Sequence, residues 1–187
     1  MSTNIILVLG GVRSGKSAFA EKLVRQMERP TLYLATGQAT DAEMAQRILR
    51  HREARPDEWH TVEEPLELAD GLATGLAACG PNSVVLVDSL DTWVSNLLLA
   101  HGVKSAGELE SLAKSKVEQL IDVCENSSSP LVMVSSEVGH SLVPPNELGR
   151  RFQDLLGLVN QQAADLAHQV YLVVAGIPVQ IKGATKP

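Results

Sequence analysis

The densest chemistry in the sequence lies in Gly10-Gly11-Val12-Arg13-Ser14-Gly15-Lys16-Ser17. Gly-x4-Gly-Lys-Ser is the spacing of a phosphate-cradling loop. Glycines let the backbone turn tightly and approach oxygen atoms closely. Backbone N–H groups and the positive end of a following helix then hold phosphates. In that setting Lys16 reaches the β- and γ-phosphates and the Ser17 hydroxyl ligates Mg²⁺. Such a loop needs an acid at the end of a neighbouring buried strand. Val84-Val85-Leu86-Val87-Asp88 supplies one, with Asp88 as the metal or metal-water ligand. Asp91 is a competitor for that role, and a strand-end aspartate that merely caps the next segment is the bland alternative for Asp88.

A second constellation is basic. Arg47, His51 and Arg55 are spaced i, i+4, i+8, with Arg50 and Arg52 flanking the histidine. On a helix reaching Arg55 they form one stripe. Two readings stand. One is a solvated charged face. The other is a phosphate site with a nucleophile in it, because nearby positive charge keeps an imidazole neutral and the arginines offset charge on a polyphosphate leaving group. His60, His101, His140 and His168 lack such surroundings and read as structural or surface residues.

Alternating strands and helices must position these groups. Residues 5–9 read as a fully buried strand running into the glycine loop. Residues 17–29 read as an amphipathic helix closed by Pro30, and 31–35 as a second strand. Thr40 with Glu43 looks like a capping box opening a helix through about Arg52. Residues 65–78 read as a weaker helix interrupted by Gly71 and Gly75, and 83–87 as a strand. Helices follow near 91–100 and 107–125. Residues 131–134 are a strand, 145–166 mostly helix, and 170–174 a strand. Gly176-Ile177-Pro178 then reads as a turn before a short strand over 179–181. Continuous apolar strands separated by helices mean a mostly parallel sheet with helices on both faces. The fold class is therefore α/β, P-loop NTPase-like, with a short C-terminal antiparallel strand. Ligand chemistry belongs at the strand ends.

Length and composition narrow the function. The chain has 187 residues, which suits one domain spanning 1–187. A formal net charge of −6 and 3% aromatic residues argue against a nucleic-acid partner. The two cysteines, Cys79 and Cys124, show no metal-ligand spacing and read as ordinary thiols. The first apolar stretch is too short for a membrane span and wrong for a signal peptide, so a cytoplasmic location is expected.

Taken together, these residues resemble the bifunctional adenosylcobinamide kinase / adenosylcobinamide-phosphate guanylyltransferase family of cobalamin assembly. The likeness covers nearly the whole chain. The loop matches the family's GGxRSGKS form. Tyr33-Leu34-Ala35-Thr36-Gly37 is similar to its YxAT segment. Asp41 through Arg47-Ile48 to His51-Arg52 is similar to its D-x-E-M-x-x-R-I-x-x-H stretch. Trp59, Thr61 and Glu63 follow its W-x-T-x-E. Trp93-Val94-Ser95-Asn96-Leu97 and Glu137-Val138-Gly139 continue in family order. Ser136 departs from the family, where Asn commonly precedes E-V-G.

The resemblance implies two reactions. A nucleoside triphosphate, ATP or GTP, phosphorylates the aminopropanol hydroxyl of adenosylcobinamide. GTP then donates GMP to adenosylcobinamide phosphate through a guanylylated histidine, and the matching position is His51. Implied nucleotide contacts are Gly10, Gly11, Val12, Arg13, Ser14, Gly15, Lys16 and Ser17; Ala35, Thr36 and Gly37; Arg52, Glu53, Ala54 and Arg55; and Glu63 and Asp88. A homotrimer is implied too. The competing readings are a plain P-loop small-molecule kinase and a nucleotide-driven switch. An Asn-Lys-x-Asp guanine motif, which would favour the switch, is absent from the sequence.

Overall fold

The structure is a computed structural model. It describes residues 3–183 apart from Thr40, Ala54 and Pro81, and apart from the side chains of Glu43, Arg47 and His51. Its elements in chain order are β1 (Ile5–Gly10), α1 (Lys16–Gln26), β2 (Thr31–Ala35), α2 (Ala42–Glu53), β3 (His60–Glu63), α3 (Leu68–Cys79) and β4 (Val84–Asp88). Then come α4 (Leu90–His101), α5 (Ala106–Ser127), β5 (Leu131–Ser136), α6 (Glu147–Leu166), β6 (Gln169–Val174) and β7 (Ile177–Lys182).

The seven strands form one sheet in the order β3-β2-β4-β5-β1-β6-β7. Every pairing is parallel except β6 with β7. Parallel strands are covered on both faces, so β1, β2 and β5 are buried along their whole length. One face, with Ile6, Val8, Leu86 and Val132, packs on Ala20 and Val24 of α1. The opposite face, with Leu7, Leu34, Val87 and Met133, packs on α3 to α6 through Leu72, Trp93, Val117 and Leu156. Among the described residues no helix is long and apolar enough to cross a membrane.

Several boundaries differ from the sequence reading. α3 runs through Gly71 and Gly75 without interruption. These glycines serve packing: a Cβ at Gly75 would lie 2.5 Å from Leu32 Cδ1, and one at Gly71 would lie 2.6 Å from Glu64 Cβ. β3 was not anticipated, because His60-Thr61-Val62-Glu63 is short and half-polar, as an edge strand can be. α1 stops at Gln26, three residues early, and Glu28 takes a positive φ of 52°. The final turn falls on Ala175 (φ 50°) and Gly176 (φ 81°), so Ile177 and Pro178 already belong to β7. Thr40 lies outside the described residues. Asp41 Oδ1 accepts from Met44 N–H at 2.7 Å and caps the start of α2.

One expectation about a surface also changes. α2 ends at Glu53, so Arg55 leaves the helical stripe and sits in a turn closed by its N–H to Arg52 C=O, at 3.2 Å. The apolar cluster on α4 is mostly core: Trp93, Val94, Leu97 and Leu98 are buried and only Leu99 is exposed. Deep burial, not a partner surface, accounts for that helix.

Candidate active site

The loop after β1 is held from three sides. Gly10 C=O accepts from Glu137 N–H (3.1 Å), Gly11 C=O from Ser14 N–H (3.2 Å), and Ser14 C=O from Gly176 N–H (2.8 Å). Only glycine fits at position 10, where a Cβ would lie 2.4 Å from Ser14 Oγ and 2.8 Å from the Val173 carbonyl oxygen. Gly15 adopts a left-handed φ of 92° and stands at the N-cap of α1. It brings no capping side chain, and the first turn carries no acid. The first N–H groups of α1 therefore remain open to an external anion. Lys16 Nζ folds back onto Gly11 C=O at 3.3 Å. Val12 is 81% exposed at the loop's tip, beside exposed Arg13.

Strand register assembles the acidic side. Ala35 at the end of β2 pairs with Glu63 of β3 on one side and Asp88 of β4 on the other. One cavity at these strand ends is lined by Lys16, Ser17, Ala35, Gly37, Arg55, Glu63 and Asp88, all of them anticipated from sequence. Met44 and Ile48 of α2 close it from above. Asp88 does not cap α4. Its Oδ2 accepts from Tyr33 Oη at 2.7 Å, and the N-cap position belongs to Ser89. The Asp88–Ser89 peptide is cis.

Tyr33 also lines this cavity, although the sequence reading placed it in a strand and in the YxAT segment without giving it a site role. Arg55 lies 3.7 Å above its ring, a close cation–π contact. Burial, and then the Asp88 charge, hold the Tyr33 phenol neutral well above its ordinary range. It remains a hydrogen-bond donor to the carboxylate at any working pH. Arg55 Nε and Nη1 are enclosed without an acceptor among the described residues, leaving donors for an anionic ligand. Glu21, one turn along α1 from Ser17, also bears on the site. Burial and then the Asp88 charge raise its pKa, against opposing pulls from Arg25 and Arg55.

The remaining expected contacts are more dispersed. Thr36 is fully buried, and its hydroxyl donates to Ser89 C=O and accepts from Ser89 N–H, both at 2.9 Å. Asn96 Nδ2 donates to Thr36 C=O at 2.8 Å and to Pro65 C=O at 3.1 Å, so the strand ends are braced by polar links that only tertiary packing reveals. Arg52 and Glu63 form an ion pair at 2.8 Å, about half exposed on both sides and so worth little by itself. With Arg55, Trp59 and Thr61 they line an adjoining groove. Glu53 is exposed at the end of α2. His51 stands in the last turn of α2, its side chain outside the description, and Ala54 lies outside the described residues. His168 is structural, with Nδ1 accepting from Ile5 N–H at 3.2 Å.

The donor set suits a hard divalent cation. Ser17 and Asp88 bring oxygen ligands to the same cavity, and Tyr33 occupies only one of the two Asp88 oxygens.

A parallel sheet with a glycine loop at the strand ends, an uncapped helix start and a strand-end acid defines the P-loop-like α/β class. Comparison with known proteins narrows this class. The family described as cobinamide kinase / cobinamide phosphate guanyltransferase (CobU) matches residues 6–181. The chain is 42% identical over 184 residues to the bifunctional adenosylcobalamin biosynthesis protein CobU of Escherichia coli (strain K12), covering 95% of this chain and 99% of that protein. It is 40% identical to the Salmonella typhimurium protein of the same name, with the same coverage. It is 39% identical over 178 residues to the bifunctional adenosylcobalamin biosynthesis protein CobP of Pseudomonas aeruginosa, covering 95% and 96% of the two chains. The chain belongs to the cobinamide kinase / cobinamide phosphate guanyltransferase family.

Proposed function

We propose that this chain catalyses both family reactions at the strand-end cavity, as one domain that works as a homotrimer. The observation that carries the reading is the convergence of Lys16, Ser17, Arg55, Glu63 and Asp88 on one cavity beside an uncapped helix N-terminus. In the kinase step the loop N–H groups and Lys16 hold the triphosphate of ATP or GTP and stabilise the charge on the transferring phosphoryl group. The acceptor is the hydroxyl of adenosylcobinamide. Ser17 and Asp88 would hold Mg²⁺, which supplies positive charge to the phosphate oxygens.

In the second step an imidazole nitrogen of His51 forms a bond to the α-phosphorus of GTP while the bond to the bridging oxygen breaks and pyrophosphate leaves. A phosphate oxygen of adenosylcobinamide phosphate then takes the phosphorus and frees the imidazole, giving adenosylcobinamide-GDP. His51 lies near the C-terminal end of α2, whose dipole of about half a charge disfavours anions. The full charge of Arg55 outweighs it, and Arg52, paired with Glu63, adds less. Arg55 is the stronger contributor because it is already turned into the cavity.

The test is covalent labelling. Incubation with GTP and Mg²⁺ should add one GMP to the intact protein through an acid-labile bond, mapped to the peptide containing His51. His51→Ala should lose guanylyl transfer and retain kinase activity. An adduct on another residue, or undiminished transfer by His51→Ala, overturns the assignment. Phosphorylation of adenosylcobinamide with no GMP adduct would mark a plain kinase. Light scattering should give three times the chain mass, and a monomer at working concentration would sink the trimer.

A further inference from the structure

A second cleft, of about 460 Å³, opens beside the nucleotide cavity between α4 and α6. The two spaces share Met44, Asp91 and Thr92, so ligands bound in each would meet at that seam. Its size is that of a small-molecule site. Leu98 and Phe152 form an apolar floor, Leu99 (62% exposed) and Leu148 (52% exposed) an apolar rim, and Ser95 and Asn146 add hydrogen-bonding groups. Among the described residues no Lys or Arg lines it, so it is not built for a phosphate.

Asp91 stands at the seam with one oxygen committed and one spare. Ser136 Oγ donates to Oδ2 at 2.9 Å, which fixes the carboxylate, while Oδ1 is enclosed and receives no hydrogen bond among the described residues. An enclosed carboxylate oxygen without a donor is costly, and a ligand hydroxyl would satisfy it.

We propose that this cleft is the acceptor site of the kinase step, and that Asp91 Oδ1 receives the hydrogen bond of the hydroxyl to be phosphorylated. The proposal rests on reading the chain as a cobinamide kinase. A corrin macrocycle presents a broad apolar face fringed with amide arms, and its hydroxyl lies at the end of a flexible arm. The leucine rim and Phe152 fit the face, Ser95 and Asn146 fit the amides, and the seam points the arm at the γ-phosphate. Asp91 holds the hydroxyl oxygen toward that phosphate, a positioning effect of the kind that dominates phosphoryl transfer.

Leu99→Asp and Asp91→Ala test this in the full-length protein. Leu99 is exposed, so its substitution leaves the core intact. Leu99→Asp should raise KM for adenosylcobinamide about tenfold or more, since a charge there loses apolar contact with the ring. The KM for nucleotide and self-guanylylation by GTP alone should not change. Asp91→Ala should lower the kinase kcat about tenfold while the Mg²⁺ dependence stays that of the wild type. Unaltered acceptor kinetics in both variants would overturn the assignment. So would a Leu99→Asp protein that dissociates into smaller assemblies with acceptor KM unchanged, because the cleft would then be an interface between copies. A wild-type protein that takes GMP from GTP yet never phosphorylates adenosylcobinamide would instead strike the functional reading, and this proposal with it.

Discussion

Tyr33 on β2 donates its phenol hydrogen to Asp88 at the end of β4, 2.7 Å away, while Arg55 covers the ring at 3.7 Å. Core, acid and base are thereby joined in one stack. The phenol holds the carboxylate in place, and the ring holds the guanidinium above the cavity. Tyr33→Phe keeps the ring and removes the donor. A hydrogen bond to a charged group contributes about 1.5–3 kcal/mol, so the variant should lose stability of that order, or roughly 3–12 °C in Tm. Urea unfolding checks it. An unchanged midpoint would mean that water replaces the phenol at no cost.

Lys16→Ala should leave the melting temperature within about 1 °C, because Lys16 sits at the loop and outside both core clusters. Kinase turnover should fall about 10²- to 10³-fold, the cost of removing one preorganised charge-stabilising donor. A folded variant that phosphorylates adenosylcobinamide at the wild-type rate would contradict the role given to the loop.

Asp88→Asn should raise the Mg²⁺ concentration for half-maximal rate by about 10- to 100-fold, with nucleotide affinity much less affected. The shape is nearly preserved and Tyr33 keeps an acceptor, so the change isolates the charge. Rate measured against Mg²⁺ concentration decides this. An unaltered metal profile would move the metal role to another group.

Burial pushes the Cys124 thiol up to about 12 from an ordinary 9.0, with the Glu125 charge adding to it. Between those values the unfolded chain has lost the proton and the folded chain still binds it. Folding stability therefore falls as pH rises through that window. Cys124→Ala removes the group and should flatten the decline. Urea midpoints of the two proteins from about pH 8 to about pH 11 provide the measurement, and parallel curves would refute the linkage.

Local pattern was enough for much of this protein. The glycine loop, the buried strands and Asp88 are legible because each is encoded within a few consecutive residues: glycine spacing, an unbroken apolar run, an acid at its end. The family-level site positions followed the same continuity. Features made by long-range register were not legible. Glu63, Ala35 and Asp88 share a row only because β3, β2 and β4 are neighbours in the sheet, although the chain visits them far apart. β3 itself carries too little apolar pattern to announce a strand. Arg55 belongs to the helical stripe by spacing, yet the end of α2 at Glu53 releases it to stack on Tyr33. The apolar residues of α4 could equally have served a partner surface or the core, and only packing against the sheet chose between them. Likewise Asp91 reads as one more acid near a strand end until it lines both cavities, with Ser136 on one oxygen and the other enclosed without a donor among the described residues. Sequence carries the local conformational preferences and the residue chemistry. The direction a polar side chain takes depends on which distant strand lies beside it, and that follows from the burial of the whole sheet.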